Sequence, residues 1–163
     1  MNFETFKTLL IKSNRKIFLV SLLLLGIGIP MAIGSYMADN NKAGLIISGI
    51  FIVLGLLVLI RSLSDSGKIK NDEHPLLYAL KNQQSDYLIW IYAKEIISNV
   101  QGVDVGKSSN IMLYSKDNKL IEMALGRKED PNAVINYLSN AFPKALVGFS
   151  EENKKTVEGM LKK

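Results

Sequence analysis

Two long apolar runs dominate the pattern of the chain, Ile17 to Ala38 and Ala43 to Ile60, with Asp39-Asn40-Asn41-Lys42 between them. Neither run contains a charged residue. At about 1.5 Å per helical residue they extend about 33 Å and about 27 Å, against a hydrocarbon layer of about 30 Å. The pattern predicts a membrane α-helical hairpin, with transmembrane helix 1 over 17–38, a short external turn over 39–42 and transmembrane helix 2 over 43–60. The first run also offers Ala32 and Gly34 as the small residues of a signal-peptidase site. Its length exceeds the 7–15 apolar residues of a signal peptide, and a second run follows at once, so it reads as a span.

The flanks differ in pattern. Over 1–16, Phe3, Phe6, Leu9 and Leu10 share one helical face, with Lys7, Lys12, Arg15 and Lys16 mostly on the other. This predicts a basic amphipathic segment suited to the headgroup layer of a membrane. Residues 61–72 are polar, carry Gly67 and show no periodicity, so they read as a linker.

From residue 73 the periodicity alternates between helix and strand. Asn71 or Asp72 can cap a short helix with Pro75 in its first turn and Leu76, Leu77 and Leu80 facing inward. Asp86 to Val100 opens on Tyr-Leu-Ile-Trp-Ile-Tyr, which favours a strand apolar on both faces. Tyr87, Ile89 and Ile91 fall on one side, and Leu88, Trp90 and Tyr92 on the other. A hairpin follows, Ile111–Ser115 and Lys119–Leu125, turning at Asp117-Asn118. That turn sets Tyr114 opposite Ile121 and Met112 opposite Met123. It gathers Met112, Tyr114, Ile121, Met123 and Leu125 on one face and leaves Ser115 and Glu122 on the wet one. Asp130-Pro131 starts a helix carrying Val134, Tyr137, Leu138 and Ala141, which Pro143 ends. Ala145 to Phe149 reads as a brief edge strand. Ser150 caps a last helix with Glu151 and Glu152 in its first turn and Lys162 and Lys163 at its end. The expected fold over 73–163 is a small soluble α+β domain, with an antiparallel sheet of about four strands and two or three helices.

Charge sharpens the membrane reading. The net charge is +5. Its excess lies beside the apolar runs, in Lys7, Lys12, Arg15 and Lys16 before the first and Arg61 after the second, while acids and bases nearly balance from residue 64 on. The positive-inside rule then places both termini in the cytoplasm of a two-pass protein of the cell (inner) membrane. A nucleic-acid binder would concentrate its positive charge on the soluble part, and that pattern is absent. Within the runs, Gly26, Pro30 and Gly34 recur on one face of the first, and Gly44, Ser48 and Gly55 on one face of the second. Such faces let helices approach closely, either within the hairpin or between protomers.

Candidate chemistry is sparse. Gly102-Val-Asp-Val-Gly-Lys-Ser108 resembles a phosphate-binding loop but is one residue short between its glycines, and it runs into a strand where that loop opens a helix. Nucleotide binding is not expected. His74 is the only histidine and the chain has no cysteine, so neither a metal site nor a catalytic triad can be assembled from the usual groups. Between the flanks, only Ser21, Ser35, Tyr36 and Ser48 interrupt the apolar helices, too little for an ion path. The sequence therefore predicts no enzyme, no cofactor, no metal and no catalytic residue. It predicts a bilayer-anchored interaction module that binds a protein, a peptide or lipid headgroups, with Leu88, Trp90 and Tyr92 as its surface. The alternative is a small oligomeric subunit of a larger complex or pore, associating through the glycine, serine and proline faces.

Overall fold

The computed structural model describes residues 1–38, 41–100 and 103–161, with only the backbone described at 97–100, 103–107 and 161. The chain forms two units, one of residues 11–71 and one that joins residues 1–10 to 72–163. Helix α1, Phe3–Met37, belongs to both. Asn2 caps it, accepting from the Thr5 N–H at 2.8 Å. Nothing between Lys16 and Ile17 breaks a helix, so the expected boundary there marks a change of polarity and not of backbone. The helix also continues through Pro30.

In the unit of residues 11–71, α1 packs against α2, Lys42–Lys70. Asn41 caps α2, its side chain accepting from Gly44 N–H at 3.3 Å. Asp39 and Asn40, half of the expected turn, lie outside the described residues. The linker expected over 61–72 is instead helix as far as Lys70. Gly67 alone costs about 1 kcal/mol in a helix, too little to end one whose side chains are held. Here Asn14 donates to the Ser62 carbonyl at 2.9 Å and to Ser66 Oγ at 2.7 Å, and Ser62 is buried. The helix stops at Asn71, before Asp72 takes a left-handed φ of 59°.

The other unit is α+β. The first turns of α1 bury Phe6, Leu9 and Leu10 in it, and the Phe6 ring lies 5.5 Å from that of Tyr137. The amphipathic face expected to meet lipid headgroups is thus part of a protein core. A fully buried side chain of this size contributes about 1.5–3 kcal/mol, so the folded unit satisfies that face without lipid. Helix α3, Pro75–Lys81, is capped by His74, whose Nδ1 accepts from Leu76 N–H at 3.3 Å. The cap is therefore His74, not Asn71 or Asp72.

The sheet has the order β3-β2-β1-β4, with β1 Leu88–Val100, β2 Val103–Ser115, β3 Leu120–Ala124 and β4 Leu146–Val147. Helix α4, Pro131–Ala141, separates β3 from β4, and α5, Glu151–Leu161, follows β4. The sheet is mixed and not purely antiparallel, because β4 lies parallel to β1 after the α4 connection. Asp130 caps α4 with Pro131 behind it, and Ser150 caps α5 through a 3.0 Å bond from Asn153 N–H. Lys162 and Lys163 lie outside the described residues.

The β2–β3 register differs from expectation by one residue. Tyr114 faces Leu120, Met112 faces Glu122 and Ile111 faces Met123. The loop holds three residues, Lys116-Asp117-Asn118: a turn closed by Asn118 N–H to Ser115 O at 3.1 Å, then Asn118 in a left-handed φ of 57°. A slip of one exchanges the faces of a strand. Ile111, Leu113, Ser115 and Met123 are consequently buried together, and Met112, Tyr114 and Glu122 lie on the opposite side. The expected wet Ser115 is fully buried.

Candidate functional site

A β-bulge at the start of β1 determines which aromatic residues meet. Leu88 pairs with Ser115 and Trp90 with Tyr114, leaving Ile89 as the extra residue. The bulge keeps Leu88, 1% exposed, on the face of Ile91 and Leu113, and turns Trp90 and Tyr92 to the other. Of the three residues expected to share a surface, Trp90 and Tyr92 come together and Leu88 is part of the core.

The Trp90 face is completed by the β4–α5 corner. Gly148 has φ 86°, a left-handed conformation that side chains other than glycine adopt only with strain. Its N–H donates to Ile91 O at 2.9 Å, which extends the β4 pairing by one residue. Its carbonyl accepts from Trp90 Nε1 at 2.8 Å and from Asn153 Nδ2 at 3.1 Å. This corner swings Phe149 across the sheet. The Phe149 ring centroid lies 5.9 Å from Trp90 and 5.4 Å from Tyr92. Trp90 in turn lies 4.4 Å from Tyr92 and 5.3 Å from Tyr114.

Between these rings and α5 is a shallow hollow of about 130 Å³, lined by Trp90, Tyr92, Tyr114, Phe149, Lys154, Val157 and Glu158. Its floor is Trp90, 3% exposed, and its lip is Phe149, 57% exposed. Glu122, on the same face, accepts from the Asn110 amide. Burial pushes the Tyr92 phenol above its ordinary range, and Tyr114 and the Glu122 charge add to that rise. The phenol is therefore a neutral hydrogen-bonding group at physiological pH. No serine or threonine hydroxyl lines the hollow, and among the described residues no three of His, Asp and Glu cluster as a metal would require.

The other expected site residues are distributed as follows. On α2, Gly44, Ser48 and Gly55 are buried. A Cβ at Gly55 would come within 2.9 Å of Leu25 Cγ, so this face carries contact between the helices. On α1 the matching positions are Ser21 and Gly28, both buried; a Cβ at Gly28 would meet Ile52 Cγ1 at 2.9 Å. Gly26, Pro30 and Gly34 are exposed, and a Cβ at either glycine meets nothing within 4 Å. Of the basic residues, Lys7 pairs with Asp72 at 2.5 Å, Lys12, Arg15 and Lys16 are exposed, and Arg61 reaches Asp65 only at 3.9 Å. Gly102 lies outside the described residues, while 103–108 belong to β2, where a phosphate loop would open a helix.

Periodicity does not identify Tyr114, Phe149, Lys154 and Glu158 as neighbours of Trp90 around the hollow. Only tertiary structure brings them there; the one local sign is Gly148-Phe-Ser150, a flexible residue and a cap around an aromatic.

Residues 79–157 match a family described as a domain of unknown function (DUF6709). The matched stretch includes the sheet, α4, most of α5 and every residue of the hollow except Glu158, and it excludes α1 and α2. No curated protein matches the chain, and no solved structure does.

Proposed function

We propose that this chain is a two-pass protein of the cell (inner) membrane, with both termini in the cytoplasm, whose helical hairpin anchors a cytoplasmic binding module. The module takes a protein, a peptide or lipid headgroups at the Trp90–Tyr92 hollow. One observation carries the anchoring. Large apolar side chains are exposed along both helices outside their shared face, among them Leu23 (60%), Ile33 (57%), Val53 (57%), Leu57 (60%) and Ile60 (65%). A water-soluble protein rarely exposes so continuous an apolar surface, whereas hydrocarbon covers it at no cost. Orientation rests on Lys12, Arg15 and Lys16 before the first apolar run and Arg61, Lys68 and Lys70 after the second.

The binding reading is supported by the lining of the hollow, which is four aromatic rings, a valine, one lysine and one glutamate. Fractionation of cells expressing the full chain tests the anchor. It is expected to stay with membranes through high salt and alkaline carbonate and to leave only with detergent. Release by carbonate would remove the anchored reading.

A further inference from the structure

We propose that the hollow between α5 and the Trp90–Tyr114 part of the sheet binds an alkylammonium group of the choline type, joined to an anionic group. This deepens the binding-module reading and rests on it.

Size comes first. About 130 Å³ amounts to roughly four water volumes at about 30 Å³ each, well below a drug-sized site of about 300–1,000 Å³. Only a small group enters. The lining selects its charge, because ring faces of tryptophan, tyrosine and phenylalanine are electron-rich and attract organic cations within about 6 Å. Trp90, Tyr92, Tyr114 and Phe149 pack on one another with centroids 4.4–6.4 Å apart. Trp90 is buried beneath the others and fixed by its bond to Gly148 O, so a cation meets the parts of Tyr92, Tyr114 and Phe149 that line the hollow. Glu158 adds a carboxylate at the rim, and Glu122, held by Asn110, adds a second on the same face. A lone anion would meet the Glu158 carboxylate and the rings, so it is disfavoured.

Lys154 defines the rest of the ligand. It stands one helical turn from Glu158, about 5–6 Å along α5, and both side chains line the hollow. A bare cation in the hollow would feel Lys154 as repulsion. A cation carrying an anion two carbons away satisfies both ends, the ammonium at the rings and Glu158, the anion at Lys154. Phosphocholine has that chemistry, either free or as a lipid headgroup.

Trp90 is the chain's only tryptophan, so its fluorescence reports on the hollow directly. The full chain in maltoside micelles, at constant ionic strength, is titrated with tetramethylammonium, phosphocholine, inorganic phosphate and the neutral isostere neopentyl alcohol. The expected result is a saturable change with tetramethylammonium and a tighter one with phosphocholine, and none with phosphate or the alcohol over the same range. Glu158→Gln and Phe149→Leu, both at exposed positions, should each weaken phosphocholine about tenfold, the effect of losing about 1.4 kcal/mol. Lys154→Gln should weaken phosphocholine but not tetramethylammonium. Displacement of phosphocholine by phosphatidylcholine vesicles, and not by phosphatidylglycerol vesicles, assigns the lipid as source; no displacement assigns the free compound. An equal response to neopentyl alcohol, or no saturable response to any cation, overturns the proposal. Either failure in a chain that still resists carbonate leaves the anchor reading standing and removes only the ligand.

Discussion

Asp72 shows how much one residue can hold in place. Its carboxylate pairs with Lys7 at 2.5 Å and Lys81 at 3.3 Å, joining the start of α1 to the end of α3. The Lys7 hydrogen bond, aided by Lys81, holds its pKa below the ordinary 3.8. A carboxylate depressed in the folded state stabilises it at pH values above 3.8, and that contribution disappears as pH falls through the folded-state value. Chemical denaturation of the full chain in detergent should therefore show Asp72→Asn destabilised at neutral pH. Wild type and variant should converge well below pH 3.8, and added salt should shrink the gap. Asparagine tolerates the left-handed backbone at this position, so the comparison isolates the charge. A gap independent of pH would contradict the assignment. The same residue explains a limit of the sequence reading. By residue type Asp72 is the better cap for α3, but its lysines and its φ of 59° commit it elsewhere, and His74 caps instead. Asp130 and Ser150, with no competing partners of that kind, cap where their type predicts.

At the scale of elements, periodicity points to each helix and strand but not to the full extent of α2, which continues to Lys70, or of β2, which starts at Val103 and not at Ile111. Geometry that depends on single turns is not legible. Asp117-Asn118 looks like a two-residue turn, yet the loop takes Lys116 as well, and the slip separates Tyr114 from Ile121, which it leaves on opposite faces. The bulge at Ile89 does the same to Leu88 and Trp90, and alternation alone cannot reveal an inserted residue. A polarity change at Lys16 or Arg61 resembles a boundary, but nothing there stops hydrogen bonding along the helix. The small-residue faces divide similarly. Gly44, Ser48 and Gly55 are legible as a contact face of α2, whereas on α1 the contact runs through Ser21 and Gly28, and the Gly26–Pro30–Gly34 face stays open. Overpacking a filled interface costs about 1–3 kcal/mol. Gly28→Ile should lower the thermal stability of the detergent-solubilised hairpin by that amount, and Gly34→Ile should leave it unchanged. An equal loss from Gly34→Ile would contradict the assigned contact face. A smaller particle by light scattering, from Gly34→Ile alone, would indicate that the open face joins protomers.

Across the whole molecule, the hydrophobic pattern divides the chain into a hairpin and an α+β unit but does not show that residues 1–10 belong to the latter. Phe6, Leu9 and Leu10 carry the same amphipathic signature whether their partner is lipid or protein, and in this fold it is protein. The hollow was legible only as Trp90 and Tyr92, since its other walls come from β2, the Gly148 corner and α5. The anchored-module account requires the Asn41 end of the hairpin outside the cell and the sheet inside. The absence of native cysteine makes that directly measurable. Single cysteines are placed at Asn41, exposed at the start of α2, and at Lys119, exposed beside β3, and intact cells are treated with a membrane-impermeant maleimide. Asn41→Cys should label on intact cells, and Lys119→Cys only after permeabilisation. Labelling of Lys119→Cys on intact cells with Asn41→Cys protected would contradict the account.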